Sequence, residues 1–186
     1  HMWRTTTDIF PWYGRVYAIL EANAPLAPFA TRGAFNDPDM LEVGVEGPFL
    51  NVPGLPRTSL TESESALHFS MWAMLAAPLL IGADVRSSPS WVLDILGNPE
   101  VIAISQDALG RQAVRALDEE DGVGRTIVFW AWWSKPRVPP ERRTGSSHEA
   151  EPLRSGSAPE AAPEDRRLAE LCAAHGVWVS RVGLLR

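Results

Sequence analysis

The sequence predicts an α/β fold built on a parallel sheet. Two observations carry this. Between residues 3 and 104, short extended runs and amphipathic helical runs alternate three times. The third extended run is apolar almost throughout, as befits a parallel strand covered on both faces. Consecutive βα units of this kind join by right-handed crossovers into one sheet. By themselves they leave open whether that sheet is open or closed.

The first unit starts at residues 3–9, where Thr5, Thr6 and Thr7 favour a strand. Residues 11–22 follow with Val16, Ile19 and Leu20 at helical spacing. The second unit opens with a short extended run at residues 33–36, ended by Asp37-Pro38, because Pro38 lacks the N–H that a central strand needs. A long Gly/Pro loop at residues 44–58 leads to Thr61-Glu62-Ser63-Glu64, a capping box in which the Thr61 hydroxyl takes an orphan N–H while Glu64 reaches back. Leu67, Met71, Met74 and Leu75 mark one face of the helix that follows, up to Ala77. The third unit is the apolar run 78–85, then Ser88-Pro89 as N-cap and first helical residue, with Trp91, Ile95 and Leu96 as the apolar face and Gly97 as the stop. Asn98-Pro99 caps another turn through Ile104.

Beyond this the pattern changes. Residues 125–133 are apolar, with Trp130, Trp132 and Trp133, and suit the opening of an antiparallel β domain. Pro, Arg, Glu, Ser and Ala dominate from residue 136 to 165, with no hydrophobic period able to bury a face, which reads as a linker or disordered insertion. Residues 163–175 read as a helix stopped by Gly176, and 177–185 as a final strand. The division expected is therefore 1–116 for the sheet-and-helix domain, 117–135 for the candidate start of a β domain, 136–165 for the linker, and 166–186 for a short helix and strand of uncertain origin.

Bulk composition narrows the function. A formal net charge of −6 and a pI near 5.2 disfavour a nucleic-acid or anionic-membrane surface, which needs clustered Lys and Arg. A polar, uncharged small substrate fits better. The longest apolar stretch, 71–83, is broken by Pro78 and falls short of the about 20 residues of a membrane span. Cys172 is the sole cysteine, so neither an intrachain disulfide nor a thiolate-rich metal site is expected. His1, His68, His148 and His175 show no metal-ligand spacing, and no Gly-rich phosphate loop is present; neither metal nor cofactor is expected. The opening His1-Met2 fits either an appended pair or the cut end of a longer chain.

The chemistry sits in two carboxylate motifs at the ends of the first two extended runs: Trp3-Arg4-Thr5-Thr6-Thr7-Asp8-Ile9 and Phe35-Asn36-Asp37-Pro38-Asp39-Met40-Leu41. Asp37 and Asp39 also suit an Asx-type turn around Pro38. Among the tryptophans, Trp72 and Trp91 sit on helices and are expected in the core, whereas Trp3 and Trp12 lie closer to the carboxylates.

The first motif resembles the sixth-strand motif of glycoside hydrolase family 27, which contains the α-galactosidases (melibiases) and α-N-acetylgalactosaminidases. Further segments are similar to that family in the same order: Asn36-Asp37-Pro38-Asp39-Met40-Leu41, His68-Phe69-Ser70-Met71-Trp72-Ala73-Met74, Ala77-Pro78-Leu79-Leu80-Ile81-Gly82, Ala83-Asp84-Val85-Arg86, and Val101-Ile102-Ala103-Ile104 with Gln106-Asp107 and Leu109-Gly110. The similarity runs from Trp3 to about Gln112. It departs at Phe35, where the family has Trp, at Ser105, where it has Asn, and in a longer loop at 45–60 bearing Pro48, Pro53 and Pro56.

What the resemblance implies is the C-terminal portion, strands six to eight, of a TIM (β/α)₈ barrel, followed by a poorly matched, partly disordered tail. It implies a retaining hydrolase that releases terminal α-linked galactose through a covalent glycosyl-enzyme. Asp8 matches the family's acid/base, Arg4 an arginine near the sugar 2-hydroxyl, Asp39 a carboxylate holding sugar hydroxyls, Met40 a residue lining the sugar pocket, and Asp37 a neighbouring motif residue. The family's nucleophile is an Asp on strand four, in a segment that would precede His1. Family members are commonly secreted or lysosomal.

General chemistry agrees. Catalytic groups of such barrels gather where strands end at the carboxyl face. Retaining hydrolysis needs two carboxyl groups about 5–5.5 Å apart, one to attack and one to protonate. A proton donor wants an apolar setting, which Trp3 and Ile9 offer, while Arg4 works against it; the role of Asp8 is therefore assigned from its motif position. Two readings follow. In one the chain is part of an α-galactosidase, with α-N-acetylgalactosaminidase as the alternative within the family, acting on an α-galactoside and partnered by the missing N-terminal barrel half. In the other the isolated chain is a non-catalytic fragment or sugar-binding remnant, since barrel units six to eight alone leave open strand edges.

Overall fold

A computed structural model of the chain describes residues 1–47, 58–120 and 125–130. In order these hold β1 (Met2–Arg4), α1 (Tyr13–Asn23), a 3₁₀ turn (Ala24–Phe29), β2 (Phe35–Asp37), α2 (Glu62–Met74), α3 (Ser90–Leu96), α4 (Pro99–Ser105), β3 (Val114–Glu120) and β4 (Arg125–Trp130).

The parallel arrangement is present. β1 pairs in parallel with β2, Arg4 opposite Asp37 and Trp3 opposite Asn36. Leu41, just beyond β2, bridges in parallel to Ile81: its N–H donates to the Leu80 carbonyl at 2.7 Å, and the Gly82 N–H donates to the Leu41 carbonyl at 2.9 Å. Three extended segments thus lie side by side in chain order with helices between them. Gly82 permits the close approach, since a Cβ there would stand 2.9 Å from both the Leu41 carbonyl oxygen and Met40 Sδ.

The extended segments are shorter than the sequence predicts. β1 spans Met2–Arg4 and so takes in only residues 3 and 4 of the extended run expected at 3–9. Thr5 keeps one ladder contact, its N–H donating to the Asp37 carbonyl at 3.0 Å, and the chain then leaves the sheet. Arg15 on α1 takes the Thr7 and Asp8 carbonyls, at 2.5 and 3.0 Å, so these are spoken for by a side chain and not by a neighbouring strand. The run at 78–85 makes one bridge, not a long strand, and is not covered on both faces: Leu80 and Ile81 are half exposed. Among the described residues, Leu41 is the one ladder partner of that segment.

The helices follow their capping signals. The Thr61 hydroxyl accepts from the Glu64 N–H at 3.3 Å and the Glu64 carboxylate accepts from the Thr61 N–H at 2.8 Å, the predicted capping box. α2 ends at Met74 and not Ala77, because Ala76 takes a positive φ of 51°. Met71, Met74 and Leu75 are buried as expected, together with His68, Phe69 and Trp72; Leu67 only packs against the edge of this core. Asn98 caps α4 by accepting from the Glu100 and Val101 N–H groups, with Pro99 in the first turn.

α3 departs from expectation. Its N-cap is Pro89, without a side-chain cap; the Ser88 hydroxyl turns back to the Asp84 carbonyl at 3.1 Å, in a loop that Asp84 and Arg86 also tie together. Val92 is its buried residue, and Trp91 only packs against the core's edge. Gly97 ends the helix at φ −91°, and its lack of a side chain matters because a Cβ would meet the Leu93 carbonyl at 2.8 Å.

A buried polar relay fastens β2 to the helix layer. The Asn36 amide donates to Gln112 Oε1 at 2.7 Å and to the Leu26 carbonyl, and the Gln112 amide donates to the Asn23 carbonyl at 2.7 Å. Alternation along β2 therefore turns Asn36 towards the helices and leaves its neighbours Phe35 and Asp37 on the other face.

β3 and β4 form an antiparallel pair that starts at Val114. Arg115 ties it to the helical layer by an ion pair with Glu21 at 2.5 Å. The expectations for residues 131–135, the linker at 136–165, the terminal segment at 166–186 with Cys172, and the loop tip at 48–57 lie outside the described residues. Among the described residues no helix is long and apolar enough to cross a membrane.

Candidate active site

The residues leaving the ends of β1 and β2 converge. Arg4 is the last residue of β1, and its Nη2 donates to Asp39 Oδ2 at 2.7 Å and to Asp8 Oδ1 at 3.2 Å. The two carboxylates thus share one guanidinium nitrogen while differing sharply in exposure. The Asp8 side chain is 85% exposed and the Asp39 side chain 8%. Asp8 therefore faces solvent at the mouth of the site, and Asp39 lies beneath it.

Asp39 is the hub. Oδ2 accepts from Arg4 and from the Ile9 N–H at 2.8 Å, and Oδ1 accepts from the Met40 N–H at 2.8 Å. A carboxylate offers about four lone-pair sites, so three protein donors leave room for one more. Its own backbone N–H donates to Asp37 Oδ1 at 2.9 Å, closing the Asx turn around Pro38. The backbone of Asp39 stands at φ 94°, a conformation that non-glycine residues rarely adopt and that marks locally stored strain. Met40 is 41% exposed beside it. The five residues singled out in the sequence, Arg4, Asp8, Asp37, Asp39 and Met40, thus form one unbroken chain of contacts.

The guanidinium of Arg4 has capacity left. Among the described residues its Nε and Nη1 have no acceptor, and the side chain is 42% exposed. Such a group can present a planar fork of donors to a ligand while a third nitrogen stays anchored.

Several residues that build the site were not singled out in the sequence. Arg15, from the first turn of α1, holds the loop that carries Asp8: it contacts the Asp8 carbonyl, the Thr7 carbonyl and Thr7 Oγ1. From α2, Trp72 Nε1 donates to the Asp39 carbonyl at 2.8 Å, and His68 Nε2 accepts from the Glu42 N–H at 3.0 Å. Their rings meet edge to face with centroids 4.1 Å apart. Burial pushes the His68 pKa down to about 3, and pushes the Glu42 carboxyl up to about 7 with a smaller contribution from the Asp39 charge. The signal for these residues is the i, i+4 spacing of His68 and Trp72 on the helix after the second motif.

Trp3 and Trp12, expected from the sequence to lie closer to the carboxylates, are both half exposed, whereas Trp72 is the one bonded to the Asp39 backbone. Among the described residues no cluster of three or more His, Cys, Asp or Glu is arranged to hold a metal ion.

Comparison with known proteins identifies the family. Residues 1–107 match the family model for α-galactosidase A. An α-galactosidase of Oryza sativa is 46% identical over 129 residues, which cover 69% of this chain and 27% of the rice protein. The α-galactosidase 2 of Arabidopsis thaliana is 42% identical over 137 residues, covering 73% and 30% of the two chains. The solved α-galactosidase of Saccharomyces cerevisiae with raffinose superposes with a TM-score of 0.55 at 34% identity, over 64% of this chain and 25% of the yeast chain. The chain thus spans under a third of the length of these relatives, and the solved structures it resembles are TIM-barrel enzymes of family 27. A family model matching more than half of its length, on the stretch that carries the Arg4, Asp8 and Asp39 constellation, makes this chain a member of the α-galactosidase (melibiase) family of glycoside hydrolases.

Proposed function

We propose that the protein contributes the acid/base half of a retaining α-galactosidase site, with Asp8 as proton donor and Arg4, Asp39, Met40 and Asp37 as the sugar-binding group. The observation that carries this is the Arg4 guanidinium lying between an exposed carboxylate and a buried one at adjacent parallel strand ends. In a barrel, the ends of neighbouring parallel strands are where reacting groups collect.

The roles follow from exposure and valence. Asp8 is the carboxyl group open to a glycosidic oxygen, and in a retaining reaction it first protonates that oxygen and later draws a proton from water. Arg4 has Nε and Nη1 to offer a sugar hydroxyl while Nη2 stays with Asp39. Asp39 keeps one lone-pair site for a hydroxyl, and Asp37 acts through the turn that fixes Asp39. Met40 supplies an apolar contact for a sugar ring.

The attacking carboxylate belongs, on this reading, to barrel segments preceding Trp3 in the complete protein, with residues 1–116 forming units six to eight. The half-exposed Leu80 and Ile81 and the outer edge of β1 are then covered by those segments, as closure of a barrel requires. Galactose is preferred over N-acetylgalactosamine because the curated relatives named above are α-galactosidases. The chain by itself then lacks turnover. The experiment is release of p-nitrophenol from the α-galactoside by the 186-residue chain and by a version extended upstream: activity in the extended version alone supports the reading, and activity in neither refutes it.

A further inference from the structure

We infer that His68 and Trp72 are positioning residues: one turn apart on α2, they grip the backbone on both sides of Met40 and hold Asp39 in the left-handed conformation that presents its carboxylate to Arg4. The inference deepens the functional reading above and rests on it for the consequence to sugar binding, though not for the geometry.

Asp39 stands at φ 94°, where an L side chain crowds its own backbone, so neighbouring contacts must hold it there. Its side chain and its N–H are engaged within the turn, with Arg4 and with the Ile9 N–H, and of the peptide that follows they hold the Met40 N–H but leave the Asp39 carbonyl unheld. That carbonyl is held from α2. Trp72 Nε1 donates to the Asp39 carbonyl at 2.8 Å, setting the plane of the peptide that follows the strained residue. His68 Nε2 accepts from the Glu42 N–H at 3.0 Å, holding the peptide whose other end, the Leu41 carbonyl, accepts from the Gly82 N–H in the bridge to Ile81. Both side chains are fully buried, and their edge-to-face contact locks each ring against the other.

The chemistry of each ring suits its partner. Indole is a donor only and meets a carbonyl, while an imidazole kept neutral by burial can accept from an amide. The grip makes α2 an element that sets where Asp39 and hence Arg4 stand.

The test has two parts. In the unsubstituted full chain, hydrogen exchange followed by NMR should find the Trp72 indole N–H and the Glu42 amide as protected as the amides of α2; exchange at the rate of exposed loop amides overturns the inference without any variant. Crystal structures of Trp72→Phe, His68→Phe and His68→Gln then read Asp39 directly. The two Phe variants should lose the positive φ at Asp39 and open the Arg4–Asp39 contact beyond hydrogen-bonding distance. His68→Gln, which returns an acceptor to the Glu42 N–H, should keep both. An unmoved Asp39 in the Phe variants, or an equal loss in His68→Gln, overturns the inference; if the Phe variants fail to fold, the exchange measurement and His68→Gln decide. In a version that hydrolyses p-nitrophenyl α-galactoside, Trp72→Phe should raise KM about tenfold with little change in kcat, the mark of lost ground-state binding. Absence of turnover in the unsubstituted protein would count against the functional reading alone, because the conformational readouts do not need it.

Discussion

Arg4 Nη2 donates to Asp39 Oδ2 at 2.7 Å across 35 residues of chain, and this contact joins the ends of the first two parallel segments. The same nitrogen reaches Asp8 at 3.2 Å, so one cation sets the separation of a buried carboxylate from an exposed one. A lysine would place a single point charge here and could not present a fork to two carboxylates and a ligand together.

Arg4→Lys should therefore lower kcat/KM for p-nitrophenyl α-galactoside about 10- to 150-fold in the complete protein, the equivalent of a charged hydrogen bond of about 1.5–3 kcal/mol. Steady-state kinetics of the variant check this. An unchanged kcat/KM would remove Arg4 from the site.

Thr61→Ala should cost about 1 kcal/mol of stability, since it strips the cap from α2 and leaves the Glu64 N–H without its acceptor. Urea unfolding should show a lower midpoint with an unchanged slope. Thr61 is exposed and outside the carboxylate group, so sugar binding should be unaffected.

Glu42 and His68 give opposite pH dependences to stability. Burial first, and the Asp39 charge second, raise the Glu42 pKa from 4.5 to about 7, so the folded chain holds a proton that the unfolded chain has released. That stabilisation is complete below pH 4.5 and is lost as pH rises towards 7. Burial lowers the His68 pKa from 6.5 to about 3, so its contribution is present above 6.5 and lost as pH falls towards 3. Between 4.5 and 6.5 the two oppose each other. The difference in unfolding free energy between Glu42→Gln and the unsubstituted protein should grow in favour of the variant from pH 4.5 to 7 and be level on either side. A difference independent of pH would mean that Glu42 titrates normally.

Much of the fold was legible in the sequence because its signals are local. Thr61 and Glu64, and Asn98 with Pro99, stop and start helices through contacts a few residues away, and both caps form as read. The order of βα units was legible for the same reason. The length of β1 was not, because Arg15 reaches back from the next helix to take carbonyls that a strand would have offered to a neighbour. The exposure of Leu80 and Ile81 was also hidden, since an apolar run records what a segment suits and not which neighbours flank it. In the site, the carboxylates and Arg4 stood out by residue type. His68 and Trp72 did not, because a side chain bonded to distant backbone leaves the same apolar-face pattern as ordinary core.

The most direct measurement is the turnover of p-nitrophenyl α-galactoside by the complete protein carrying Asp8→Asn, with and without azide. Loss of the proton donor and later general base should slow turnover about 10²- to 10⁴-fold. Azide, a nucleophile that needs no base, should restore much of the rate by intercepting the glycosyl-enzyme. Release of p-nitrophenol at the unsubstituted rate would contradict the assignment of Asp8 and with it the functional reading of the Arg4–Asp39 constellation.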